Sequence, residues 1–105
     1  MQSNINPFVF VDRYVFSASQ ERQMMGQAFA DIDKSDLLIA EVSEKGIGIG
    51  VEVGYAIAKR KPVIYLRRAT AEHSTTVSGA SDFQIIYEDA DDLNSQLMKA
   101  LEVMF

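Results

Sequence analysis

Cysteine and tryptophan are absent from this chain, histidine occurs once and proline twice. Without cysteine there is no disulfide, no thiolate nucleophile and no sulfur ligand, and a lone histidine makes a poor start for a histidine-based metal site. No metal and no cofactor are expected. No apolar run approaches the roughly 20 residues that a membrane-spanning helix needs, and the opening Met1-Gln2-Ser3-Asn4-Ile5-Asn6 lacks the basic and apolar segments of a secretory leader. No membrane partner is expected, and the cytoplasm is the default compartment. A formal net charge of −5 argues against binding the backbone of a long nucleic acid, although it leaves room for a small anion held in a local pocket. The chain contains no internal repeat and no low-complexity tract.

What remains is 105 residues, 48% of them hydrophobic, enough for one domain spanning residues 1–105 with a single core and no staples. The hydrophobic period changes in the order strand, helix, strand, helix, strand, strand, helix, which predicts an α/β fold. The first strand is read at Phe8–Phe16, where Pro7 marks the start and Phe8, Val9, Phe10 and Val11 are apolar in succession, as in a strand covered on both faces. Ser17 and Gln20 have capping-box spacing, and Met25, Ala28, Phe29 and Ile32 fall at i, i+3, i+4 and i+7, so a helix is read over about 20–34. A strand at Asp36–Val42, a glycine loop, a helix over about 51–60 and a strand at Pro62–Leu66 follow. Arg68–Asp82, rich in Ala, Ser and Thr, reads as a long loop of the functional kind. A strand at Phe83–Tyr87 and a helix with the stripe Leu93, Leu97, Leu101 and Met104 complete the pattern.

The chemistry concentrates between the second strand and the second helix. Gly46, Gly48 and Gly50 occupy three of five positions, which relaxes backbone sterics and lets a ligand approach the main chain. Glu52 then falls in the first turn of the expected helix, where the dipole and the free amides favour its ionised form. It is either a nucleophile beside an open loop or a glutamate that merely complements the dipole. Gly48-x-Gly50-x-x-x-Gly54 also resembles a dinucleotide fingerprint, but the last spacing is one residue too long and Arg67 and Arg68 stand where an acid belongs. Arg67 and Arg68 are read as solvated surface or as a phosphate contact, and His73 as a polar loop residue. Asp12 and Arg13 interrupt an apolar strand, which suits a buried ion pair or a site contact.

The run from Ser35 through Val42-Ser43 to Gly46-x-Gly48-x-Gly50-Val51-Glu52-Val53-Gly54-Tyr55-Ala56, followed by Lys61-Pro-Val-Ile-Tyr-Leu66, resembles the nucleoside 2-deoxyribosyltransferase family. The branch it is most similar to is that of the 2'-deoxynucleoside 5'-phosphate N-hydrolases, and the likeness covers roughly residues 20–100. This resemblance implies a flavodoxin-like or Rossmann-like three-layer domain with a mainly parallel, four-stranded sheet flanked by helices. It implies that Glu52 is the nucleophile at C1' of a deoxyribose. Ser43, Gly46, Gly48 and Gly50 of the loop are read as substrate-binding candidates beside it, and Asp12 and Arg13 as further candidates. Ser74 corresponds to a phosphate contact lent by a neighbouring subunit. At the position on the first helix where relatives carry an assisting aspartate, this chain has Ala28, and Asp31 lies one turn later near the same face. The family's first strand and its Gly-Ser-Ile-Arg-Gly-Gly type loop have no counterpart before Phe8.

The expectation is therefore an enzyme that cleaves the N-glycosidic bond of a deoxynucleoside or deoxynucleotide, by transfer or hydrolysis. The competing expectation is a catalytically inactive nucleotide-binding or scaffold protein of the same fold. A homodimer is expected through Met24, Met25, Phe29 and Tyr55, with Phe8–Phe16 taking the central place in the sheet.

Overall fold

The computed structural model of the protein describes residues 7–9, 17–44 and 46–105. In chain order these form β1 (Pro7–Val9), α1 (Ala18–Lys34), β2 (Leu37–Glu41), α2 (Ile47–Ala58), β3 (Val63–Arg68), α3 (Thr75–Ala80), β4 (Phe83–Tyr87) and α4 (Ala90–Met104). The sheet has the order β1-β2-β3-β4 with every pairing parallel. Three strands of five or six residues make its body, and the three residues of β1 add a short edge. The expected central place of the first strand is corrected, since Pro7–Val9 lies at the edge beside β2; Phe10–Phe16 of the expected strand lie outside the described residues.

Strands added in one direction by crossovers of one hand place their connecting helices on one face. Accordingly Ile32 of α1, Ile49, Val53 and Ala56 of α2 and Val77 of α3 pack on Leu38, Ala40, Val42, Val63 and Tyr65. The alternate strand residues Leu37, Ile39, Ile64, Leu66, Ile85 and Tyr87 face α4, which covers them with Ala100 and the partly buried Leu93, Leu97, Leu101 and Met104. The expected three layers follow from this period-2 division.

At α1 the capping box is present: Ser17 is the N-cap and its backbone N–H donates to Gln20 Oε1 at 2.9 Å. Two boundaries differ from the sequence reading. Helix α2 begins at Ile47 with Gly46 as its N-cap, so Gly48 and Gly50 are helical and Glu52 lies in the second turn, away from the free amides. The stretch expected to be a structureless loop contains α3, capped by Ser74, whose Oγ accepts the Val77 N–H. β3 also runs two residues further than expected, to Arg68.

Candidate active site at helix α2

Helix α2 buries the stripe Ile49, Glu52, Val53 and Ala56 at i, i+3, i+4 and i+7. Glu52 has 0% exposure. Burial of this kind is set by helix period, because the three apolar members of the stripe all belong to the core beneath. The flank of α2 that carries Glu52 is identified by Tyr55 and Lys59, three and seven positions on. Tyr55 Oη donates to Asp33 Oδ1 of α1 at 2.8 Å, Lys59 Nζ lies 3.8 Å from the same oxygen, and the Tyr55 ring stacks on Phe29 with centroids 4.3 Å apart. Glu52 therefore sits towards α1. The Asp33 carboxylate also raises the Tyr55 phenol above its ordinary range, chiefly through this hydrogen bond.

A cleft of about 450 Å³ opens on the opposite flank, between the start of α2 and the start of α3. Glu44, Gly46 and Ile47 line one wall and His73, Ser74, Thr75 and Thr76 the other, over a floor of Val42, Ile49 and Val77. Gly46 and Ser74 are thus brought together within one chain. Tyr65, buried on β3, holds this wall from below: its phenol oxygen accepts the Ser74 N–H at 3.1 Å and lies 3.4 Å from His73 Nδ1. Glu52 is not among the lining residues. The expectation that it begins α2 beside an open glycine loop is corrected, since a residue on the buried stripe one turn into the helix points inward. A Cβ placed at Gly50 or Gly54 would meet nothing within 4 Å, and no described glycine has positive φ. Close packing and backbone conformation therefore do not demand glycine at Gly50.

Ser43 and Arg68 join a network that sequence reasoning missed. Glu41, the last residue of β2, accepts the Ser43 N–H on Oε1 at 2.6 Å and the Tyr87 phenol on Oε2. Ser43 Oγ accepts the Arg68 N–H at 2.9 Å. Burial first, and then the hydrogen bond to Glu41, raise the Tyr87 phenol above its ordinary range. The available signal was parity: Glu41 continues the 37, 39 face of β2 and Tyr87 the 83, 85 face of β4. Arg67 is neither solvated surface nor open to phosphate through Nη1, which donates to the carbonyls of Ala71, Arg68 and Ala69 at 2.6, 3.3 and 3.4 Å. Arg68 is exposed. On α1, Ala28 is buried, and Asp31 accepts the Gln27 amide at 2.9 Å. Asp12 and Arg13 lie outside the described residues. No group of three or more His, Cys, Asp or Glu suited to a metal ion occurs among the described residues, nor any helix long and apolar enough to cross a membrane.

The family model described as nucleoside 2-deoxyribosyltransferase matches residues 4–102. The chain belongs to the nucleoside 2-deoxyribosyltransferase family. It is 34% identical over 71 residues to a Branchiostoma floridae protein named 5-hydroxymethyl-dUMP N-hydrolase, a match spanning 66% of this chain and 68% of that one. Two microbial proteins named 2'-deoxynucleoside 5'-phosphate N-hydrolase 1 carry the word putative in their names. The one from Syntrophotalea carbinolica is 46% identical over 41 residues, 39% of this chain and 29% of its own. The one from Thermofilum pendens is 32% identical over 71 residues, 63% of this chain and 50% of its own. The chain therefore spans half or less of these two relatives. Among solved structures, a Clostridium botulinum CMP N-glycosidase superposes with a TM-score of 0.61 over 74% of each chain at 24% identity, a likeness of fold. Within this family fold, the described residues place Glu52 and the Gly46–Ser74 cleft on the two flanks of one helix.

Proposed function

We propose that this family member cleaves the N-glycosidic bond of a deoxynucleoside or deoxynucleotide, with Glu52 as the nucleophile. The observation that carries the reading is a glutamate with 0% exposure on the core stripe of α2. A buried carboxylate taken together with the groups that hold it is often no more stabilising than apolar residues of the same volume, so stability alone is a weak account of it. In the proposed reaction the Glu52 carboxylate attacks C1', the bond from C1' to the base nitrogen breaks, and the base leaves after taking up a proton. Water then cleaves the resulting sugar ester, returning the carboxylate. The names of the relatives, one 5-hydroxymethyl-dUMP N-hydrolase and two putative 2'-deoxynucleoside 5'-phosphate N-hydrolases, support a monophosphate as the substrate.

Ser43, Gly46, Gly48, Gly50 and Ser74 are proposed as substrate contacts, with Ser74 serving a partner's site in a homodimer. The buried Ala28, at the position where relatives carry an assisting aspartate, favours a second reading, a nucleotide-binding protein without turnover. Incubation of the purified protein with deoxynucleosides and their 5'-monophosphates, followed by chromatography of free base, separates the two. Base released by the wild type and not by Glu52→Gln supports the enzyme. A raised melting temperature with no base released supports the binder, the rise being about 2.7 kcal/mol in stability at a hundred times the dissociation constant.

A further inference from the structure

Helix α2 begins without a side-chain cap, because its N-cap is Gly46. Its position must therefore be set by the stripe it buries and by the connection that delivers it. That connection is tied down at Ser43. The Val42 N–H makes the last ladder bond from β2, to Leu66 O at 2.8 Å; one residue later Ser43 Oγ takes the Arg68 N–H at 2.9 Å, and the Ser43 N–H is held by Glu41 Oε1 at 2.6 Å. The other Glu41 oxygen is held by the Tyr87 phenol from β4. The Glu41 carboxylate thus joins the β2–α2 connection to the end of β4, and Ser43 Oγ joins it to the end of β3.

The geometry points to Glu41 as a positioning residue that, through Ser43, sets where α2 leaves the sheet and hence where it presents Glu52; this rests on the function proposed above. Glu41 cannot touch a substrate at Glu52, since it shares the sheet face of Leu37 and Ile39 that α4 covers, whereas α2 packs on the opposite face. A carboxylate suits the task because its two oxygens can take a backbone donor and a phenol at once. Alanine at this position leaves the Ser43 N–H and the Tyr87 phenol without their acceptor.

The test compares Glu41→Ala, Glu41→Gln and, as a control on α4, Leu97→Ala. Steady-state release of base should show kcat lowered about 10- to 100-fold in Glu41→Ala with KM changed less than about threefold, the size expected when a reacting group is misplaced by a fraction of an ångström to an ångström. Glu41→Gln, which keeps an acceptor for the Ser43 N–H, should recover kcat to within about threefold of wild type. Leu97→Ala should lower the melting temperature and leave kcat unchanged. A Glu41→Ala enzyme that loses no more kcat than Leu97→Ala overturns the inference. Should Glu41→Ala fail to fold, Tyr87→Phe removes one of the two anchors and carries the same comparison. Absence of base release by the wild type would defeat the proposed function separately. Amide hydrogen exchange then decides the positioning role: faster exchange at Ser43 and in the first turn of α2 in Glu41→Ala, with the centre of the sheet unchanged, upholds it, and unchanged exchange there overturns it.

Discussion

Helices α2 and α4 lie on opposite faces of one sheet and treat charge in opposite ways. Helix α4 keeps its acids off its core stripe, two of them in its first turn, with Asp89 capping the Asp92 N–H at 2.8 Å, and turns Leu93, Leu97, Ala100 and Leu101 inward. Helix α2 puts its single charged residue, Glu52, inside, while Ile47 is 89% exposed and Val51 and Ile57 are exposed as well. The first arrangement is what burial of apolar area and the helix dipole favour. Neither favours the placing of Glu52 inside α2 with Ile47, Val51 and Ile57 outside, and a helix that is apolar on its outer face needs an explanation beyond its own stability. The family motif falls on α2. Under the proposed function, the inversion separates a helix shaped by folding from one shaped by chemistry.

The sharpest way to break this comparison is at its inverted residue. Glu52→Gln should abolish base release, a loss on the order of 10³-fold or more for removal of a nucleophile, while the melting temperature changes little, because the amide keeps the volume and an acceptor for the groups that hold the carboxylate. Base release by this variant at the wild-type rate would remove Glu52 from the mechanism, and a large loss of stability would make it a structural residue like those of α4. The converse change on α4, Leu97→Ala, should cost about 2 kcal/mol for a partly buried leucine, read from denaturant midpoints, with kcat unaltered.

The same contrast governs what was legible in the sequence. Helix α4 and β4 follow from local period, and the capping box of Ser17 and Gln20 was readable from a spacing of three. The start of α2 was not, because Gly46-Ile47-Gly48-Ile49-Gly50 has the composition of a loop. Each interior glycine disfavours helix by about 1 kcal/mol, and burial of Ile49 and Val53 outweighs that cost. This shift of four residues is what moves Glu52 from an open first turn to a buried second one. Helix α3 is too short for its period to register, and its signal was only a serine three residues before the buried Val77. The bond between Glu41 and Tyr87 joins residues 46 apart in the chain, and strand register alone brings them together.

The α4 side of the sheet also carries a pH dependence. Tyr87 is raised by burial and by its bond to Glu41, so the folded protein holds the phenolic proton to higher pH than the unfolded chain does. Its stabilising contribution is full below the unfolded value of 10.0 and is lost as pH climbs from there through the folded value. Tyr87→Phe should cost about 1.5 kcal/mol at neutral pH, the range for a hydrogen bond to a carboxylate, and the gap from wild type should narrow as pH passes 10. A gap that stays constant to pH 11 would show that the phenol does not act through its proton. Tyr55, raised by Asp33 at an exposed position, contributes in the same direction in both proteins and cancels in the difference.

The smallest effect on stability is expected at the outer face of α2. Ile47 is so exposed that Ile47→Ser removes almost no buried area from the isolated chain, and substitutions at such sites fall within about 0.5 kcal/mol. What the change can alter is association. The Phe29 and Tyr55 rings, expected to seek a partner, are stacked on each other, which leaves Ile47, Val51 and Ile57 as the apolar surface of α2 without a described covering. If the proposed homodimer uses this surface, sedimentation at micromolar concentration gives a dimer for the wild type and a monomer for Ile47→Ser, with the denaturant midpoint of the monomer hardly changed. A dimer that survives Ile47→Ser moves the interface elsewhere. A wild type that sediments as a monomer defeats the homodimer itself, and with it the assignment of Ser74 to a partner's site.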